Sequence, residues 1–236
     1  MPATRPPVRP VAQKLVAIPG AGSDADFVHR AFGPAAARCG LTLVALEPST
    51  DLVDGHLRRL DEVAATSGPL VVGGVSIGAA IALAWALNHD CAGVWAALPA
   101  WSGDPAKAPG AAGAAATAAA LARDGLETTI AAMAASSPPW LATELSRSWR
   151  ALHPALGGHL TQAAQFHGPT MTEISTLSAP LAVTAAVDDP VHPLAVGRSW
   201  VRAAPRAVLN EVTLDEWGND PSTLGLRCAR GWQTLR

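Results

Sequence analysis

The chain has 236 residues, 49% of them hydrophobic and 15% charged, with a formal net charge of -2. A chain so apolar and so weakly charged is not disordered, and without a basic excess it is not expected to partner nucleic acid. No stretch reaches the roughly 18 uninterrupted apolar residues of a transmembrane helix, so no membrane partner is expected either.

In chain order, Met1 to Pro10 carries two Arg and four Pro but no apolar run; it reads as a loose lead-in, not a signal peptide. Lys14 to Ile18 is a short apolar run ended by Pro19 and Gly20, a buried strand. A helix follows over Ala25 to Cys39, stopped by Gly40. Leu41 to Leu46 is the second strand. His56 to Ala65 is an amphipathic helix with Leu57, Leu60, Val63 and Ala64 on one face. Leu70 to Val75 is the third strand, with Ser76 at its end. A small-residue helix over Ala79 to Leu87 and a fourth strand over Ala92 to Leu98 follow. Strands alternating with helices at this interval predict βαβ units and a parallel sheet.

The rhythm then breaks. From Trp101 to Phe166 only helical patterns occur: Ala111 to Arg123, Leu126 to Ala135, Trp140 to Leu152 and Leu156 to Phe166. It returns with a strand over Leu181 to Val187, a helix over Leu194 to Ala203, a strand over Ala207 to Leu214 and a last helix over Ser222 to Leu235. The expected fold is therefore α/β: a mostly parallel sheet of about six strands, helices on both faces, and one helical insertion. Residues 1–100 and 168–236 form the core, and residues 101–167 the insertion. An insertion at the carboxyl end of a strand sits over the site in open α/β sheets, so this one is expected to be a lid.

Three motifs carry chemistry. Gly74-Val75-Ser76-Ile77-Gly78 lies between a strand and a small-residue helix, the context of a nucleophile elbow. A tight, strained turn holds the serine above the sheet, so its neighbours two residues away must lack bulk. The helix N-terminus behind it favours developing negative charge. The second motif is Pro19-Gly20-Ala21-Gly22. Beside an elbow, this loop supplies one oxyanion amide and the residue after the nucleophile the other, which points to Ala21 and Ile77. The same loop, Gly20 to Ala25, also satisfies the dinucleotide fingerprint G-x-G-x-x-A, with Glu47 as its ribose acid. Pro19 and the small number of βαβ units count against that alternative. The third motif is Asp188-Asp189-Pro190-Val191-His192-Pro193, directly after a strand. By itself it is an Asp-Pro turn.

With these motifs the chain resembles the α/β-hydrolase superfamily, beginning at what would be that family's third strand. The resemblance implies a serine nucleophile at Ser76 and a triad acid at Asp189, with Asp188 its easily mistaken neighbour. It also implies the order serine, acid, histidine. The chain departs from the family after its last strand. Asn219 stands where the catalytic histidine is expected, and no histidine follows His192. An amide cannot take the serine proton.

A replacement base must come from the remaining histidines. His192, three residues after Asp189, is the best placed, and a loop or lid contact is its bland alternative. His56 starts the second helix on the elbow's edge of the sheet, and His167 closes the lid segment; both are substrate-site candidates. His29 reads as surface, and His89, His153 and His159 as exposed helix-end or lid residues. Trp101 and Trp140 bracket the lid and Trp217 lies beside Asn219, so the three are candidates for the rim of one aromatic cleft. Cys39, Cys91 and Cys228 are too few and too scattered for a disulfide frame. They read as free thiols of a reducing cytoplasm, the expected location. Scarce Lys, absent Tyr and abundant Ala fit a GC-rich bacterial genome. No metal motif occurs, and no cofactor is expected.

The expected activity is a serine-dependent hydrolase or acyl transfer on a small apolar ester, thioester or lactone, with a small-molecule substrate as its partner. Two alternatives stay open: an impaired hydrolase-like protein that binds a hydrophobic small molecule, and a cofactor-free lyase or isomerase that uses the oxyanion hole.

Overall fold

A computed structural model describes residues 12–236; Met1 to Pro10, read above as a lead-in, lie outside the described residues. The sheet holds β1 (Lys14–Ile18), β2 (Thr42–Ala45), β3 (Val71–Val75), β4 (Gly93–Ala97), β5 (Leu181–Ala186) and β6 (Ala207–Val212). Their spatial order is β2-β1-β3-β4-β5-β6, with every neighbouring pair parallel. The register runs straight across the middle: Val16 opposite Val72, Val72 opposite Val94, Val94 opposite Leu181. The connection direction reverses between β1 and β3, and ligand crevices form at such a switch point, beyond the carboxyl ends of the strands.

Side-chain alternation along each strand feeds two cores. On one face Val16, Ile18, Val72, Val94, Leu181 and Val183 pack against α2 (Leu52–Thr66), α3 (Ile77–Ala86) and α9 (Leu194–Ala203). On the other, Leu15, Val71, Trp95 and Ala182 meet α1 (Ala25–Arg38) and α11 (Ser222–Thr234). With both faces covered, β3, β4 and β5 are buried at every position.

Between β4 and β5 the chain runs through α4 (Pro109–Asp124), α5 (Leu126–Ala135), α6 (Pro139–Leu152), α7 (Leu156–Gln165) and the short α8 (Met171–Ile174). The two ends of this insertion are clasped. Gly103 and Gly168 exchange backbone hydrogen bonds of 3.0 Å each way, and Trp101 Nε1–H donates to the Phe166 carbonyl at 3.0 Å. No helix among the described residues is long and apolar enough to cross a membrane.

The structure departs from the sequence reading in places with clear causes. The second helix begins at Leu52, so His56 sits in its second turn, not at its start. A short helix, α10 (Leu214–Asn219), starts at the last residue of the expected strand, and β6 ends at Val212 because Thr213 becomes the N-cap of α10. Thr213 and Glu216 form a reciprocal capping box there, as Thr170 and Glu173 do at α8.

Candidate active site

Ser76 joins β3 to α3 at φ 57°, ψ −121°, a left-handed strained conformation. Such a residue costs roughly 1–3 kcal/mol and persists only where its surroundings enforce it. Here the Ser76 N–H donates to the Ala97 carbonyl at 3.0 Å. A Cβ on Gly74 would lie 2.6 Å from the Ile18 carbonyl oxygen, and one on Gly78 would lie 2.4 Å from the same oxygen. Both flanking glycines are thus required by the close approach of β1's end. The turn after β1 passes beside the serine: a Cβ on Gly20 would lie 3.7 Å from Ser76 Cβ. This is a four-residue turn closed by Ser23 N–H to Gly20 O at 3.0 Å. Among the described residues neither Ala21 N–H nor Ile77 N–H has an intramolecular acceptor, so both are free to donate.

The loop after β5 brings the other two groups. Asp189 Oδ1 accepts from the amides of Val191 (2.8 Å) and His192 (3.1 Å), while Oδ2 meets His192 Nδ1 at 2.7 Å. Burial pushes the Asp189 carboxyl up. The His192 hydrogen bond and charge and the two amides outweigh that push and hold it below the usual aspartate value. A carboxylate only accepts, so Nδ1 carries the imidazole proton and Nε2 keeps a lone pair. That Nε2 lies 2.9 Å from Ser76 Oγ. Pro190 and Pro193 restrict the loop by fixing their own φ angles. Ser76, Asp189 and His192 are therefore joined in one hydrogen-bonded chain.

The neighbouring Asp188 does different work: its Oδ1 accepts from the Leu214 amide at 2.8 Å and anchors α10. Asn219, at the end of α10, is exposed.

Other sequence candidates lie elsewhere. His56 is 1% exposed; burial, with His159 nearby, lowers its pKa to about 4. His159, read as exposed, is buried instead, because α7 packs onto α4 and α2. His167 is exposed, since the chain turns Phe166 inward and His167 outward beside the Gly103–Gly168 bridge. The three tryptophans do not share one rim. Trp101 packs with Ala100, Ala108, Ala111 and Phe166 at the clasp. Trp140 and Trp217 stack edge-on at 4.6 Å, with Phe27 against Trp217 at 6.4 Å, joining α6 to α10 and α1. The Gly20–Ala25 loop is overlaid by α6, where Trp149 abuts Gly22, and Glu47 is exposed; neither observation favours a dinucleotide there.

Sequence reasoning missed what α6 brings to the turn after β1. Arg147 grips Asp24 at 2.7 and 2.9 Å, and Ser148 Oγ–H donates to the Gly22 carbonyl at 2.7 Å. Partners more than 120 residues apart leave no local signal; only the amphipathic pattern of the helix was visible.

No protein-family model matches the sequence, and no curated protein does. Solved structures do match. A hydrolase from Oleispira antarctica is 14% identical, with a TM-score of 0.72 over 94% of this chain and 92% of its own. The enol-lactonase of Burkholderia xenovorans is 16% identical, with a TM-score of 0.66 over 86% of this chain and 84% of its own. An α/β hydrolase from Sphaerobacter thermophilus is 15% identical, with a TM-score of 0.61 over 94% and 93%. By its superposition on these structures, and with its parallel six-stranded sheet covered by helices on both faces, this chain has the α/β-hydrolase fold.

Proposed function

We propose that the protein is a serine-dependent hydrolase or acyl-transferring enzyme acting on a small apolar ester, thioester or lactone. One observation carries this reading: His192 bridges Asp189, at 2.7 Å, to Ser76, at 2.9 Å. Ser76 Oγ attacks the carbonyl carbon while its proton passes to His192 Nε2. The Ala21 and Ile77 amides receive the oxyanion, and Asp189 orients the imidazole and stabilises it once charged. Collapse of the tetrahedral intermediate expels the alkoxide or thiolate, which takes the proton from His192. Water, or an acceptor alcohol, then releases the acyl group with His192 again as base. The base thus comes from the acid's own loop, not from the position of Asn219. The similarity to an enol-lactonase and to other hydrolases agrees with an acyl-transfer chemistry. The impaired-hydrolase reading drew on Asn219, and a base reaching Ser76 from another loop leaves it without a specific observation in its favour.

The test is intact mass after treatment with a fluorophosphonate. A single adduct on the wild type, absent from Ser76→Ala, is the expected result. No adduct on folded wild-type protein overturns the proposal.

A further inference from the structure

The turn that carries Ala21 is held from two sides. Below it, Gly20 packs beside Ser76, where a Cβ would stand in ordinary contact at 3.7 Å from Ser76 Cβ. Above it lies α6, which contributes three consecutive residues. Arg147 makes a two-pronged contact with Asp24, which is 7% exposed and also caps α1 by accepting the Phe27 amide at 3.1 Å. Ser148, fully buried, fixes the Gly22 carbonyl. Trp149 lays its indole on Gly22, where a Cβ would lie 2.7 Å from Nε1. The Ala21 methyl enters the apolar cluster of Ile130, Trp149, Leu156 and Leu160.

The turn itself is weak. It has one internal hydrogen bond, and glycines at two of its four positions give it wide freedom in φ and ψ. The direction of the Ala21 N–H depends on the plane of the Gly20–Ala21 peptide, and within the turn that plane is held by a single bond, from the Ser23 N–H to the Gly20 carbonyl at 3.0 Å. The Ser23 N–H shares its peptide plane with the Gly22 carbonyl, and α6 holds that peptide from outside the turn through Ser148, with Arg147 on Asp24 next to it. Glu144 braces the same helix by pairing with both Arg147 and Arg30, at 2.7 Å each.

We infer that docking of α6 completes the oxyanion hole, with Arg147 and Ser148 as positioning residues that aim the Ala21 amide. The inference rests on the reading of Ser76 as nucleophile. The inserted helices then do more than cover the site: α6 steadies the turn that aims one of the hole's two donors. Misplacing a catalytic group by about 1 Å costs on the order of 10²-fold in rate, and the loss of one oxyanion donor costs roughly 10²- to 10³-fold.

The test compares wild type with Ser148→Ala, Ser148→Thr, Arg147→Met and Arg147→Lys. The probes are p-nitrophenyl acetate and an alkyl trifluoromethyl ketone. The ketone adds Ser76 Oγ at its carbonyl carbon, gives the serine proton to His192 and leaves its alkoxide in the hole. Ser148→Ala and Arg147→Met should lower kcat about 10- to 100-fold with KM nearly unchanged. Ketone affinity should fall by the same factor as kcat/KM. Ser148→Thr and Arg147→Lys should restore most of both. Hydrogen exchange should quicken at Ala21 to Asp24 in the two disruptive variants and stay unchanged in β3 and α3. Wild-type kcat in both disruptive variants overturns the inference. So does a loss of kcat that follows a fall in Tm while ketone affinity holds. If wild-type Ser76 takes no fluorophosphonate, the hydrolase reading falls and this inference with it. If it labels normally and the variants behave as wild type, this inference alone falls.

Discussion

His192 Nε2 lies 2.9 Å from Ser76 Oγ, although 116 residues separate them. The loop after β5 carries both Asp189 and His192, three residues apart and paired at 2.7 Å, the acid and base of the proposed mechanism. Ser76→Ala should abolish turnover, and His192→Ala should lower kcat by roughly 10⁴-fold or more. Asn219→His should leave kcat unchanged, because that side chain is exposed on α10 and Ser76 already has an imidazole partner. Steady-state rates on p-nitrophenyl esters decide it; a rate gain in Asn219→His would move the base assignment away from His192.

The two adjacent aspartates should separate cleanly. Asp189→Asn removes the acceptor that holds the proton on His192 Nδ1, and kcat should fall roughly 10³- to 10⁴-fold at little cost in stability. Asp188→Ala removes the acceptor of the Leu214 amide. It should cost about 1 kcal/mol, the worth of a helix cap, and leave kcat near wild type. Paired urea unfolding and kinetics on the two variants would show this crossing. Equal kinetic losses from both would mean that Asp188 shares the acid's role.

Gly78→Ala tests why the elbow needs its glycines. The new Cβ would lie 2.4 Å from the Ile18 carbonyl oxygen and 2.5 Å from that of Pro19, both backbone atoms that cannot swing away. The variant should lose about 3 kcal/mol or more. Gly157→Ala, on the insertion where a Cβ meets nothing within 4 Å, is the control and should be neutral or stabilising. Thermal unfolding of both is the measurement, and equal Tm values would remove the steric argument.

The parallel sheet was readable because each central strand is a continuous apolar run bounded by Gly or Pro, as in Lys14 to Ile18 and Leu181 to Ala186. Ser76 was readable because the elbow's steric demand shows within five residues. His192 stood three residues from Asp189, but spacing gives no ring direction; the two amide bonds to Asp189 that curl the loop are visible only in space. The capping box at Thr213 and Glu216 was present in the sequence, yet a six-residue helix leaves too short a pattern to outweigh the turn composition around it. His56 and His159 were placed at helix ends and near the surface because their burial depends on α7 meeting α2 and α4, a contact with no local trace.

That buried pair gives the fold an acid sensitivity. His56 is 1% exposed, and its Nε2 has no hydrogen-bond partner among the described residues. Burial, with a smaller contribution from His159, lowers its pKa from 6.5 to about 4. His159 is lowered in turn, by burial against a raising contact from Ser49. The unfolded chain therefore binds protons more readily than the fold, and stability falls as pH drops from 6.5 towards 4. Above neutrality the effect is absent. For His56 alone the loss amounts to about 2 kcal/mol by about pH 5. His56→Leu removes the titration while keeping an apolar side chain between α2 and α7. Its stability should decline less than that of wild type between about pH 7.5 and pH 5, by roughly that amount in urea unfolding. Parallel declines in the two proteins would assign the acid sensitivity to other groups.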